Sequence, residues 1–213
     1  MEFKKNVKLA EYTTFKIGGP ARYFCIVKNK ADLISAILFS KKTRLPYFIL
    51  GGGSNLLVSD KGFKGLVIKM QNTEYKISKN ILASGAGVSL AKLVSVCAKA
   101  GLSGMEWAAG IPGATLGGAV RGNAGAFNSG IEDIVVTVEA LDASSLKIKN
   151  FNNQACRFSY RSSIFKKNHD LIVLSCKLKL KKREKKEIKN ETREILNYRK
   201  SHHPFKPSAG SIF

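Results

Sequence analysis

The chain has 213 residues, 36 Lys plus Arg against 15 Asp plus Glu, and a formal net charge of +21; 44% of it is hydrophobic and 24% charged. That length supports one or two domains with real cores, and the ordinary apolar share excludes a disordered or collagen-like chain despite 19 glycines. The longest uncharged stretches, 45–59 and 107–120, are broken by glycines and polar residues. They fall short of the roughly 18 apolar residues a membrane span needs, so none is expected.

The N-terminal residues scatter Lys4, Lys5, Lys8, Glu11 and Lys16 through the first nineteen positions and carry no apolar run, so no secretory signal is expected. Cys25, Cys97, Cys156 and Cys176 lie in apolar contexts and never at C-x-x-C spacing. They read as buried free thiols in a reducing compartment. The basic excess first suggests nucleic acid. Its distribution argues otherwise: residues 177–193 hold nine Lys or Arg against Glu184, Glu187 and Glu191, and no aromatic residue is interleaved there. A solvated helix start is the simpler reading, and such a field also favours small anionic ligands.

In chain order, Ala21 to Lys28 is strand-like, and 30–43 places Leu33, Ile34, Ile37 and Leu38 on one helical face. Tyr47 to Leu50 is a short apolar strand that runs into Gly51-Gly52-Gly53-Ser54-Asn55, with Leu56-Leu57-Val58 expected as a returning segment. Leu66 to Lys69 is a strand, and Lys79-Asn80 marks a hairpin turn. The segment 89–100 sets Leu90, Leu93, Val94 and Cys97 at i, i+3, i+4 and i+7, with Ser89 to cap it and Gly101 to end it. Segments 134–141 and 171–180 alternate in the strand period, placing Ile172, Leu174, Cys176, Leu178 and Leu180 on one face. From 182 to 200 the period turns helical around Ile188, Ile195 and Tyr198. The composition shift near residue 180 is the candidate boundary.

Sixteen of the nineteen glycines lie between Gly51 and Gly130, and two segments there stand out: 51–55, and 110–126 with Gly110, Ile111, Pro112, Gly113, Gly117, Gly118, Gly122, Asn123, Gly125 and Ala126. Bare backbone lets consecutive N–H groups converge on one anion. Two such loops suit a pyrophosphate. No G-x-x-x-x-G-K-[ST] occurs, and Leu56 stands where a dinucleotide fingerprint needs its third glycine, so neither a P-loop nor that fingerprint explains them.

Four motifs in order then carry a resemblance: Leu50-Gly51-Gly52-Gly53-Ser54-Asn55-Leu56-Leu57; Gly110-Ile111-Pro112-Gly113 continuing to Asn123-Ala124-Gly125-Ala126; Tyr160-Arg161-Ser162-Ser163-Ile164-Phe165; and Pro207-Ser208-Ala209-Gly210-Ser211-Ile212-Phe213. The chain resembles the UDP-N-acetylenolpyruvoylglucosamine reductases over nearly its whole length, from Thr13-Thr14-Phe15-Lys16-Ile17-Gly18-Gly19 onward. The resemblance implies an α+β FAD-binding fold of the vanillyl-alcohol oxidase type: subdomains at 1–65 and 66–182, then an incomplete substrate domain beginning at 183–213. It implies non-covalent FAD, because His169, His202 and His203 lie outside the glycine loops and Cys97 falls on an apolar helix face. It also implies NADPH as hydride donor, and a UDP-sugar enolpyruvyl ether as substrate in cytoplasmic peptidoglycan precursor synthesis. Nucleic acid and membrane are not among the implied partners.

By the same resemblance, Gly51, Gly52, Gly53, Ser54, Asn55, Ile111, Pro112, Gly113, Gly117, Gly118, Asn123, Gly125 and Ala126 hold FAD. Arg161 faces the enolpyruvyl carboxylate, where a fixed planar cation stabilises an enolate-like charge. Tyr160 beside it either reaches substrate or packs in a core. Ser211 matches the proton donor to C2, with Ser208 the second choice. Arg199 and His202 fall at substrate positions; the family has a lysine where His202 stands, and Lys200 and His203 are the alternatives. No metal is expected. The family continues past the serine motif, so a chain ending at Phe213 is expected to keep FAD binding and lose most turnover, with Ile188, Ile195 and Tyr198 lacking their partner domain. The competing readings are a flavin oxidase of the same fold on another substrate and a basic nucleic-acid-binding module.

Overall fold

The computed structural model describes residues 1–203 and 206–210. They form two compact units: Met1–Asn72 together with 206–210, and the stretch beginning at Thr73. The first unit contains β1 (Lys4–Lys8), β2 (Pro20–Val27), α1 (Lys30–Thr43), β3 (Tyr47–Leu50) and β4 (Phe63–Met70) in a four-stranded sheet of order β1-β2-β4-β3. β1 is antiparallel to β2, whereas β4 runs parallel to both β2 and β3. A tight glycine turn after Leu50 would have produced an antiparallel return. Instead residues 51–62 cross over without a helix, and 56–58 form no strand. The boundary expected after residue 65 falls inside β4.

α1 shows why its limits lie where they do. Asn29 accepts a hydrogen bond from the Asp32 N–H at 2.9 Å, and Arg44 closes the helix at φ +53°. Its core stripe is Leu33, Ala36, Ile37 and Ser40, which leaves Leu38 exposed, contrary to expectation. At 100° per residue the position after Ile37 turns away from a sheet that Leu33 and Ile37 already face. Leu9, Ala21, Phe24, Leu50 and Val67 form a core of this unit.

The second unit continues with β5 (Tyr75–Ser78), β6 (Ile81–Gly85), α2 (Leu90–Ala100), β7 (Leu102–Ser103), α3 (Leu116–Gly122), β8 (Gly125–Ala126), β9 (Ser129–Gly130), β10 (Val135–Asp142), β11 (Lys147–Asn152), α4 (Ile164–Lys167), β12 (Leu171–Lys179), β13 (Lys181–Lys182) and α5 (Lys185–His202). Its main sheet is antiparallel throughout, in the order β11-β10-β12-β6-β5. Ser78 pairs with Ile81 across the Lys79-Asn80 turn, where Lys79 takes φ +54°. α2 is capped by Ser89, which accepts from the Lys92 N–H at 3.2 Å, and ends at Gly101 with φ +68°. Central strand β12 buries the expected Ile172, Leu174, Cys176 and Leu178, but also Leu171 and Val173, because its first half is covered on both faces.

Ile188 and Ile195 are buried, at 1% and 8% exposure, and α5 packs on α2 and on the turn at Glu106–Ala108, so for these side chains the second unit is the partner. The described helix starts at Lys185 rather than 182.

Candidate cofactor and substrate site

In the first unit the segment Gly51–Asn55 follows β3, and two of its carbonyls, those of Gly51 and Gly53, are held by protein groups. Lys69 Nζ donates to the Gly51 carbonyl, and the Thr14 N–H donates to the Gly53 carbonyl at 3.1 Å. Gly53 has φ +69°, and a Cβ built on it would stand 2.1 Å from the Tyr12 carbonyl oxygen. Only glycine fits this approach. The N–H groups of Gly52, Gly53, Ser54 and Asn55 have no hydrogen-bond partner among the described residues. The loop therefore ties down two of its acceptors and leaves four donors free among the described residues.

Residues 206–210 belong to the same unit. Thr14 Oγ1 donates to the Ser208 carbonyl at 2.7 Å, and the Ser208 N–H donates back to the Thr14 carbonyl at 3.3 Å. The same hydroxyl lies 3.4 Å from the Gly53 carbonyl. It has one proton, which the shorter contact takes. Ser208 Oγ accepts from the Gly210 N–H at 3.0 Å, and a Cβ on Gly210, at φ +87°, would lie 3.9 Å from the Ser54 carbonyl. Pro207-Ser208-Ala209-Gly210 thus meets the first glycine loop through Thr14. Ser211 lies outside the described residues.

In the second unit the glycines of 110–126 divide by role. Gly110 and Gly113 take φ of +74° and +64°. Gly117 is bare for packing: its N–H donates to the Ala86 carbonyl at 2.8 Å, and an added Cβ would stand 2.7 Å from the Ala86 Cβ. Gly118 would meet only Thr115 Oγ1, at 3.5 Å. Ile111 is half-buried, while Pro112 and Gly113 are exposed at a turn. Two buried polar atoms in this segment lack partners among the described residues: Oγ1 of Thr115 and Oδ1 of Asn123, whose residues are 8% and 7% exposed.

The Asn123 amide is fixed by its other end, Nδ2 donating to the Ser159 carbonyl at 2.9 Å; buried Ser163 donates to the Arg121 carbonyl at 2.8 Å. These two bonds lay the 159–163 turn against the glycine segment. They deliver Arg161, whose Nη1 donates to the Gly125 carbonyl at 3.0 Å. Arg161 itself takes φ +53°, an uncommon conformation for an arginine, with its carbonyl accepting from Lys166 Nζ at 2.9 Å. Tyr160 is 90% exposed, which removes the core alternative.

Gly125 opens a two-residue hairpin whose tip is Phe127-Asn128, both at positive φ. Arg199 reaches this hairpin from α5: its guanidinium carbon lies 5.2 Å from the Phe127 ring centre, and Nη2 donates to the Trp107 carbonyl at 3.2 Å. Arg199 Nε is buried without a partner among the described residues, and burial lowers the guanidinium pKa. His202 stacks on Tyr198 with ring centres 4.0 Å apart, and Tyr198 meets Phe127 edge-on at 5.4 Å. Arg161 and Arg199 therefore flank one hairpin. Sequence reasoning missed Lys69, Thr14, Trp107 and Phe127. Of these Phe127 carried a signal, a large aromatic after Gly125-Ala126 in a hairpin turn, and Thr14 stood in the stretch where the family resemblance begins.

The residues suit FAD. In the first unit Gly52–Asn55 leave clustered donors of the kind a diphosphate needs; taken by itself, the second unit leaves the Thr115 and Asn123 acceptors unused. A profile for the family described as "FAD binding domain" matches residues 21–147. The chain is 40% identical over 215 residues to the UDP-N-acetylenolpyruvoylglucosamine reductase of Caldanaerobacter subterraneus subsp. tengcongensis, covering 98% of this chain and 68% of that protein. The chain belongs to the UDP-N-acetylenolpyruvoylglucosamine reductase family. Its relative in Prochlorococcus marinus is 38% identical, with 100% of this chain and 74% of that protein covered. The crystal structure of the same reductase from Thermus caldophilus superposes with a TM-score of 0.86 at 36% identity, covering 100% of this chain and 74% of that one. Physcomitrella patens BBE-like 1, at 17% identity and a TM-score of 0.63, shares the fold. The α+β FAD-binding fold expected from the motifs is the one present, and FAD is the cofactor.

Proposed function

We propose that this chain carries out the flavin-dependent, NADPH-driven reduction of UDP-N-acetylglucosamine enolpyruvate to UDP-N-acetylmuramate, in the cytoplasm. The observation that carries the reading is Arg161, an exposed residue tethered to the Gly125 carbonyl through one nitrogen. Bound FAD supplies the hydride once NADPH has reduced it. Its contacts are assigned to Gly51–Asn55 in the first unit, and in the second to Ile111, Pro112, Gly113, Gly118, Asn123, Gly125 and Ala126, with Gly117 contributing through its packing on Ala86. The buried thiols and exposed histidines leave non-covalent binding as the mode.

The remaining work belongs to side chains. Arg161 has guanidinium donors left over for the enolpyruvyl carboxylate, whose negative charge grows as hydride reaches C3. The hairpin carbonyl fixes the cation beforehand, so little reorganisation accompanies that charge. Ser211 is assigned the proton for C2. Arg199 and His202 are assigned to the substrate's diphosphate and Tyr160 to its outer part. The partners of this reading are the enolpyruvyl nucleotide and NADPH, not nucleic acid or membrane; among the described residues no helix is long and apolar enough to cross a membrane.

The test is single turnover. The protein is reduced anaerobically with NADPH and mixed with the enolpyruvyl nucleotide, and the return of oxidised-flavin absorbance is timed. R161M is expected to slow that return about 10²- to 10³-fold, the effect of removing one charge-stabilising donor, with FAD affinity unchanged. Equal, measurable rates for R161M and wild type would overturn the reading.

A further inference from the structure

Lys69 was no part of the motif set, yet it sits under the first glycine loop. It is the penultimate residue of β4 and pairs in parallel register with Leu50 on one side and Ile26 on the other. Its neighbours Leu50, Ile68 and Met70 are buried. A lysine at the end of a central strand normally leads its ammonium to water. This one turns to the loop and donates to the Gly51 carbonyl.

The electrostatic situation is unusual. An ammonium has three donors, and among the described residues only the Gly51 carbonyl accepts from it. Among the described residues the ion pairs are Lys149–Asp142, Arg183–Glu187 and Arg183–Glu191, so no carboxylate neutralises Lys69. Its stem and head are partly out of water, and burial lowers its pKa. A half-buried cation without a counter-charge is unfavourable, and an anion nearby would relieve it.

Peptide geometry gives the direction. No cis peptide is present among the described residues, so the Gly51–Gly52 carbonyl and N–H point opposite ways. With the Gly51 oxygen drawn to the ammonium, the Gly52 N–H is aimed away from it. The same holds one step along, where the Thr14 N–H draws in the Gly53 oxygen and leaves the Ser54 N–H on the opposite side of its peptide. Lys69 thus fixes the first peptide of the donor array and adds a full positive charge behind it.

We infer that Lys69 positions the Gly52–Asn55 donors and supplies the counter-charge for the FAD diphosphate. The inference rests on the FAD reading above. It is a positioning role, exerted through the loop carbonyl and through the field.

The test compares wild type, K69M and K69R after removal of flavin, by quenching of FAD fluorescence at low and high salt, with the thermal midpoint of each apoprotein measured alongside. K69M is expected to weaken FAD binding about 10- to 100-fold, the effect of a charge-assisted contact. Its affinity should also lose part of the wild type's salt dependence, which a merely structural residue would leave alone. K69R keeps the charge and should stay within a few-fold of wild type, so it carries the test if K69M does not fold. Unchanged affinity and salt dependence in K69M would overturn the inference, as would K69R weakened as much as K69M while its midpoint is unchanged. If the wild-type apoprotein binds no FAD, the FAD reading itself falls; if it binds FAD and K69M binds equally well, only the role of Lys69 falls.

Discussion

Replacing Gly53 by alanine perturbs the first loop at the point where its geometry is most demanding. At φ +69° an L-residue carries about 1–2 kcal/mol of backbone strain. The new methyl would begin 2.1 Å from the Tyr12 carbonyl oxygen, whereas a carbon rests no closer than about 3.3 Å. Loop and Tyr12 must separate by more than an ångström, which breaks the 3.1 Å bond from the Thr14 N–H to the Gly53 carbonyl and removes a further ~1 kcal/mol. The sum is about 2–3 kcal/mol, or a midpoint lower by about 4–12 °C if the chain melts in one transition. Gly122 is the control, because a Cβ there meets nothing within 4 Å and its φ is ordinary. G122A should be neutral or stabilising by about 0.5–1 kcal/mol. Thermal and urea denaturation of the three proteins, with FAD affinity by fluorescence quenching, makes the comparison. G53A should lose both stability and FAD binding while G122A keeps both. A G53A protein as stable as wild type would refute the assignment of strain and close approach to this glycine.

The four thiols give a second prediction. Burial pushes Cys25 and Cys97 up to about 12, with Asp32 and Glu106 adding to it, raises Cys156 to about 11, and raises Cys176 as well. At about pH 8 the thiolate fraction is negligible, so Ellman's reagent should react with none of them in the folded protein and with all four after denaturant; a rapid native reaction would contradict the burial. Asp142 gives a pH dependence. Lys149 at 2.6 Å, with the Ser144 hydroxyl and the N–H groups of Ser144 and Ser145, holds its carboxyl below the usual range. A depressed folded pKa stabilises above the unfolded value of ~3.9 and is lost as pH falls toward the folded one. Urea midpoints should therefore fall less steeply below about pH 4 in D142N than in wild type, and parallel curves would count against the contacts.

What was legible in the sequence was local chemistry. Ser89 and Gly101 bounded α2 because cap and terminator act within a few residues of the helix they close, and Lys79-Asn80 marked its hairpin for the same reason. β1 went unread because only Val7 of Lys4–Lys8 is half-buried, the pattern of an edge strand defended by lysines. α3 escaped because Leu116–Gly122 contains three glycines, poor helix formers; its start is held by the Leu116 and Gly117 N–H groups reaching Val88 and Ala86. The parallel pairing of β3 and β4 cannot be seen from Leu50-Gly51-Gly52-Gly53, since a turn and the start of a crossover look alike in composition. The site divides in the same way. Glycines and Arg161 announce themselves by motif, whereas Thr14 and Lys69 matter through partners 39 and 18 residues away, a distance that residue type does not encode.

The central claim is that this chain holds FAD in its glycine loops. The most direct measurement is the absorbance spectrum of the purified protein, followed by acid or heat release and chromatographic identification of what comes free. The account predicts an oxidised-flavin spectrum and stoichiometric FAD released intact, with no flavin left on the polypeptide. A colourless protein that takes up no FAD on titration, or a flavin that stays attached after denaturation, would contradict it.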